Sequence, residues 1–189
     1  MRTVLFFLEE PSAEEMLRGI LPRILPEGVT PRYVVFRGKQ DLEKQLIKRL
    51  RGWQQPDTTF VIMRDQDSGD CKIIKEKLTN LCAKAGKSTV LVRIACRELE
   101  SFYLGDLAAV EKGLNMKGIT KKQLSRKFRS PDNLANPSEE LEKLTEGRYQ
   151  KKAGSRAIAP FLLNGENRSH SFNILVSGIK KAVECKQHG

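Results

Sequence analysis

Thr58-Thr59-Phe60-Val61-Ile62-Met63-Arg64-Asp65-Gln66-Asp67-Ser68-Gly69-Asp70 is the stretch on which the reading of this chain turns. Its first half, after the break at Pro56-Asp57, is apolar and β-branched enough for a strand buried on both faces. It then runs straight into a loop too polar to belong to a core. A strand buried on both faces belongs to a parallel sheet covered by helices, and such sheets gather ligands beyond the carboxyl ends of their strands. The acidic loop sits at that end.

The flanking sequence repeats the pattern. Thr3 to Leu8 reads as another buried strand, stopping at Glu9-Glu10-Pro11; Ser12-Ala13-Glu14-Glu15 fits a capping box for a helix with Met16, Leu17, Ile20, Leu21 and Ile24 on its apolar face. Pro22 predicts a kink in that helix, and Pro26 and Gly28 its end. Arg32 to Phe36 is a strand closed by Gly38, and Asp41 opens a basic amphipathic helix with Leu42, Leu46, Ile47 and Leu50 on its buried stripe. A helix from Cys71 to Ala85 follows the acidic loop, then a strand from Ser88 to Cys96, then Arg97-Glu98-Leu99-Glu100 and a helical Ser101 to Leu104. Strands alternating with helices imply right-handed crossovers, hence an α/β three-layer fold with a mostly parallel sheet of about four strands.

Beyond Asp106 the pattern loosens into helices near 107–113, 120–128 and 139–144, and a last amphipathic helix begins at Ser169 or Ser171 with Phe172, Leu175, Val176, Ile179 and Val183 on one face. The expectation is a single domain over 1–189, with a sheet core in 1–106 that carries the acidic site and a helical elaboration in 107–189 that packs back on it.

Composition narrows the function. No apolar run approaches the roughly 20 residues of a membrane helix, and Val4 to Leu8 is too short for a signal-peptide core, so the expected setting is cytoplasmic with no membrane partner. Cys71, Cys82, Cys96 and Cys185 form no CxxC pair and have no His at ligand spacing, which argues against zinc and against a disulfide framework. A net charge of +11 turns the partner list toward polyanions, nucleic acid first.

Against that basic background the sheet's carboxyl rim is acidic. Glu9-Glu10 ends one strand, Asp65 and Asp67 another, and Glu98 and Glu100 a third. In an extended segment residues i and i+2 point the same way, which would aim Asp65 and Asp67 at one point. Crowded carboxylates repel unless a cation neutralises them, and an all-oxygen set favours Mg²⁺ or Mn²⁺, with Glu9, Asp65 and Asp67 as the ligands. The same acids also suit turns and caps: Asp67-Ser68-Gly69-Asp70 fits a turn, Asp70 an N-cap, and either Glu98 or Glu100 the cap of the next helix.

Three segments carry a resemblance: Leu8-Glu9-Glu10-Pro11-Ser12 with Glu14-Glu15, Arg64-Asp65-Gln66-Asp67-Ser68-Gly69-Asp70-Cys71, and Arg97-Glu98-Leu99-Glu100-Ser101-Phe102-Tyr103-Leu104-Gly105-Asp106. In this order they resemble the DUF4276 family of Toprim-like proteins, with further likeness in Gly154 to Pro160 and Asn167 to Phe172. The resemblance implies a Toprim-like Rossmannoid fold, related to the Toprim domains of topoisomerases, primases and overcoming-lysogenization-defect nucleases. There a first-strand Glu and a DxD pair coordinate Mg²⁺ for phosphoryl transfer, roles that fall here on Glu9 and on Asp65 and Asp67. The glycine usual after the first Glu is replaced by Glu10.

Further candidates are Glu98, with Glu100 ranked behind it, as an added ligand or general base, and Lys152, Ser155, Arg156 and His170 as phosphate-binding groups. A hydroxyl, an ammonium and a planar guanidinium suit phosphate oxygens, although basic runs also serve as solvated faces and His170 also fits a helix cap. The function expected is metal-dependent phosphoryl transfer, a nuclease or phosphodiesterase acting on nucleic acid in a phage-defence or DNA-repair context. The alternative is a non-catalytic nucleic-acid or nucleotide-binding subunit beside a separate ATPase partner, since the chain has no GxxxxGK[ST] loop of its own.

Overall fold

The computed structural model of the chain describes residues 2–163 and 166–184. Four strands, β1 (Arg2–Leu8), β2 (Val29–Val35), β3 (Thr58–Asp65) and β4 (Val90–Ala95), form one sheet in the order β2-β1-β3-β4. Every pairing is parallel: Leu8 stands between Val35 and Met63, and Asp65 stands beside Ala95.

The alternation along the two central strands creates the layers, because successive side chains leave opposite faces. Val4, Phe6 and Leu8 enter one core with Val61 and Met63, while Leu5 and Phe7 enter the other with Phe60 and Ile62. The smaller core is closed by α2 (Lys39–Gly52) through Leu42, Leu46 and Leu50, and by α3 (Cys71–Lys84) through Leu78 and Cys82. The larger core is closed by α1 (Pro11–Ile20), α4 (Glu100–Leu104), α5 (Leu107–Gly113), α6 (Pro137–Leu144), α7 (Lys151–Ile158) and α8 (His170–Glu184). The three-layer α/β arrangement expected from the alternating pattern is the one that forms, and none of its described helices is long and apolar enough to cross a membrane.

Local chemistry moves several boundaries. Glu10, not Ser12, is the N-cap of α1, and the Ser12 hydroxyl donates to the Glu10 carboxylate. Pro11 takes the first helical position, where its missing N–H costs nothing. At Pro22 the helix tightens into a 3₁₀ turn over Leu21–Arg23. β2 begins ahead of Pro31, which is tolerated because β2 is an edge strand bonded only to β1. The helix expected over 120–128 is a 3₁₀ turn at Thr120–Leu124. The helix α7 was not foreseen. Its packed face is Gly154, Ser155 and Ile158, and a Cβ at Gly154 would lie 2.4 Å from the Tyr149 ring. Cys71, Cys82 and Cys96 are free thiols, and Cys185 lies outside the described residues.

Candidate metal centre

Glu9 follows β1 directly, and the backbone around it is pinned: Phe36 N–H donates to the Leu8 carbonyl at 2.9 Å and Gly38 N–H to the Glu9 carbonyl at 3.0 Å. Its carboxylate crosses to the neighbouring strand, where Oε2 accepts from the Asp65 N–H at 3.2 Å. Burial raises its proton affinity; the Asp65 N–H and the Arg64 guanidinium offset part of that, and Asp67 and Glu10 add to it.

Asp65 is the last residue of β3 and its side chain falls on the larger-core side of the sheet, in alternation with Met63. Its carboxyl is held well above the ordinary carboxylate range, first by burial and then by Glu10, Glu100 and Glu9, while the Leu99 N–H acts in the opposite sense. Glu100 opens α4 fully buried: Oε1 accepts from the Tyr149 hydroxyl at 2.9 Å, and Oε2 has no hydrogen-bond partner. Burial raises its proton affinity as well, against the pull of Lys151. Lys151 stands 3.5 Å from Glu10 Oε2, and the carboxylates of Glu100, Glu10 and Asp65 together outweigh the burial that would otherwise lower its pKa.

Asp67 does not continue the extended alternation. The chain leaves β3 at Asp65, and Asp67 adopts φ 54° in the left-handed region, which Asp tolerates better than most residues. Its carboxylate therefore turns toward α2, where it pairs with Lys39 Nζ at 2.7 Å and with Arg64 at 3.8 Å. The shared neighbour of Asp65 and Asp67 is Glu9, which feels both. Arg64 ties this side together. With a side chain only 5% exposed, it bonds Glu43 at 2.8 Å and the Asp65 carbonyl at 3.0 Å, and stands 3.8 Å from Glu9.

The other sequence candidates lie elsewhere. Glu98 Oε2 accepts from Ser138 N–H at 2.7 Å, so this carboxylate serves the N-terminus of α6. Arg156 forks onto Glu15 at 2.8 and 2.6 Å, and Lys152 approaches the same Glu15 at 3.9 Å. Ser155 faces inward, fully buried, with its hydroxyl beside those of Tyr103 and Tyr149. His170 opens α8 at the β4 edge, beside Cys71 and Cys96. Of these four phosphate candidates Lys152 and Arg156 meet on Glu15, while Ser155 and His170 do not join them.

Sequence reasoning did not place Lys39, Lys151, Arg64 or Tyr149 at this rim, and ranked Glu100 behind Glu98. The sequence carried a signal for the last point. Every residue of α4 is buried, so the signal is the apolar run Phe102-Tyr103-Leu104 that draws its first residue, Glu100, inward.

Among the described residues no three His, Cys, Asp or Glu side chains already stand at metal-ligand geometry. The donors nevertheless match a hard cation in kind: all are carboxylate oxygens, the carboxyls of Glu9, Asp65 and Glu100 have raised proton affinity, and one buried oxygen of Glu100 is unpartnered. Glu9, Asp65 and Asp67 could hold such an ion once Asp67 turns from Lys39.

The family model described as "Domain of unknown function (DUF4276)" matches residues 8–180, which takes in every acidic segment of the rim. No curated protein matches the chain. Among solved structures, the C-terminal region of the Burkholderia pseudomallei OLD protein is similar at TM-score 0.58 and 16% identity, covering 97% of each chain. The C-terminal region of the Xanthomonas campestris pv. campestris OLD protein is similar at TM-score 0.50 and 14% identity, covering 98% of each. At such identities the likeness is one of fold.

Proposed function

The chain belongs to the DUF4276 family, and from this membership and the rim just described we propose that it is a Mg²⁺- or Mn²⁺-dependent nuclease or phosphodiesterase acting on nucleic acid. The observation that carries the reading is the contact of Glu9 and Asp65 across neighbouring strands, backed by the buried Glu100, in a chain of net charge +11. A basic protein that concentrates carboxylates at the ligand-binding edge of its sheet is arranged to bring a cation to a polyanion. The fold shared with the C-terminal regions of OLD proteins supports a nuclease-related reading.

Glu9, Asp65 and Asp67 would hold the metal. When bound, such an ion polarises a phosphate oxygen and lowers the pKa of a coordinated water. With Asp67 holding an ion in place of its ion pair, the Lys39 ammonium would be left for a phosphate oxygen. Glu9, set between the Asp65 N–H and the Arg64 guanidinium, would meet the ion as an oriented carboxylate. Glu100 and Glu10 stand behind Asp65 and keep the local charge negative, while Lys151 limits their mutual repulsion.

The test incubates the full chain with single- and double-stranded DNA and RNA in Mg²⁺, Mn²⁺ or EDTA, beside Asp65→Asn and Glu9→Gln. Metal-dependent products that vanish in both variants are expected; equal activity and metal affinity in parent and variants would sink the assignment. The Lys39–Asp67 ion pair favours one second reading, a binding subunit working with a separate ATPase, in which strands are bound in EDTA and never cut.

A further inference from the structure

At the open edge of β4, between the start of α3 and the start of α8, lies a cavity of about 260 Å³. Its floor is apolar, formed by Val92, Ile94 and Ile174; Ile174 is 39% exposed, one of few large hydrophobic side chains left so open. Its rim is cationic, with Lys72, Lys75 and Arg93. None of these three has a carboxylate within 4.0 Å among the described residues. Arg93 is half-buried and bonds only backbone carbonyls, of Val92 at 2.9 Å and Ile174 at 3.3 Å, so its charge is held over the cavity without a counter-ion. A half-buried cation costs free energy unless an anion completes it.

The cavity is fixed to the acidic rim. Gln66 N–H donates to the Ala95 carbonyl at 2.9 Å, Asp67 N–H to the Arg97 carbonyl at 2.7 Å, and Arg97 N–H to the Gln66 side-chain oxygen at 3.2 Å. Adjacent strands are roughly 5 Å apart, so the outer edge of β4 lies about one strand spacing from Asp65 and two from Glu9, the separation of neighbouring nucleotides rather than of distant sites.

We infer that this cavity is a subsite for one unpaired nucleotide of a nucleic-acid strand whose neighbouring phosphate reaches the acidic rim, the base lying against Ile174, Ile94 and Val92 and the phosphates against Lys72, Lys75 and Arg93. The volume is below the roughly 300–1,000 Å³ of drug-sized sites, room for one base and not for a stacked pair. An apolar floor beneath unpaired cations is the combination by which single strands are held, by base contact and backbone charge. The inference rests on the proposal that the rim acts on nucleic acid, and it names a single-stranded element as the substrate.

Binding is measured in EDTA with the full chain in an Asp65→Asn background, by anisotropy of a short labelled single strand of DNA or RNA. The variants are Ile174→Asp and the pair Lys72→Glu with Lys75→Glu; the control is the equal charge change Lys180→Glu with Lys181→Glu at the far end of α8. Each pocket variant is expected to weaken binding about tenfold or more while the control has a much smaller effect. Independently, a saturating strand should slow alkylation of Cys71 and Cys96, which line the same cavity, with mass spectrometry reading each thiol. Equal loss in pocket and control variants, or thiol labelling untouched by bound strand, overturns the inference. So does protection by a free mononucleotide but not by the strand, which would make a soluble nucleotide the occupant. Cleavage that needs Asp65 alongside normal strand binding by the pocket variants would overturn this subsite and leave the rim assignment standing; pocket-dependent binding without cleavage would do the reverse.

Discussion

Replacing Arg64 by Ala removes the buried cation on which three carboxylates lean. Breaking a buried pair from one side costs about 3–5 kcal/mol, because the abandoned charge stays desolvated. Here each abandoned group keeps a second partner: Glu43 retains Lys77 at 2.6 Å, Asp67 retains Lys39 at 2.7 Å, and Glu9 retains the Asp65 N–H at 3.2 Å. The cost should therefore fall at the lower end, about 3 kcal/mol. For a chain of this size that corresponds to a fall in Tm of roughly 6–12 °C. Arg64→Lys keeps the charge but not the planar fork that reaches Glu43 and the Asp65 carbonyl together, and should cost about half as much. Denaturant and thermal unfolding by circular dichroism, in EDTA, give both values. A metal at Glu9 and Asp67 would replace the missing charge, so Mg²⁺ at about 100 times its Kd should restore roughly 2.7 kcal/mol to Arg64→Ala. A loss below about 1 kcal/mol would show that Arg64 is not the counter-ion described, and no metal-dependent rescue would count against the site itself.

The pH dependence of stability has a definite sign. Glu9, Asp65 and Glu100 have folded-state pKa values raised above their unfolded values, so each group binds its proton more tightly in the folded state, and stability is gained as pH falls through the folded values. In EDTA the denaturant midpoint should rise as pH is lowered from about 7.5 toward 5, above the ordinary carboxylate range near 4, while Mg²⁺ affinity falls over the same interval; a midpoint that declines steadily instead refutes the crowding argument. Glu98 and Glu100 should separate cleanly. Glu98→Ala removes the acceptor at the start of α6 and costs about 1 kcal/mol with metal affinity unchanged, whereas Glu100→Gln lowers metal affinity by calorimetry; the opposite pattern would move the fourth carboxylate back to Glu98.

The order of strands and helices was legible because a parallel sheet demands continuous apolar strands punctuated by amphipathic helices, and both periods are local. Glu9 and Asp65 were legible for the same reason: the residue after a buried strand must emerge at the sheet's carboxyl edge. The partners of these carboxylates were not legible. Arg64 alternates with Asp65 along one strand and so faces the other layer, Lys39 arrives from α2, and Lys151 from a helix that no periodicity announced.

The sequence by itself determined that acids would gather where β1 and β3 end, since strand pattern and strand ending are read from neighbours along the chain. Only the tertiary structure decided which of them meet: Asp67 turns away through its left-handed backbone, Glu98 goes to cap α6, and Glu100 enters the core beneath Asp65. The physical reason is that a side chain's direction depends on local φ and ψ, whereas its partners depend on packing between segments far apart in sequence, which no local pattern encodes.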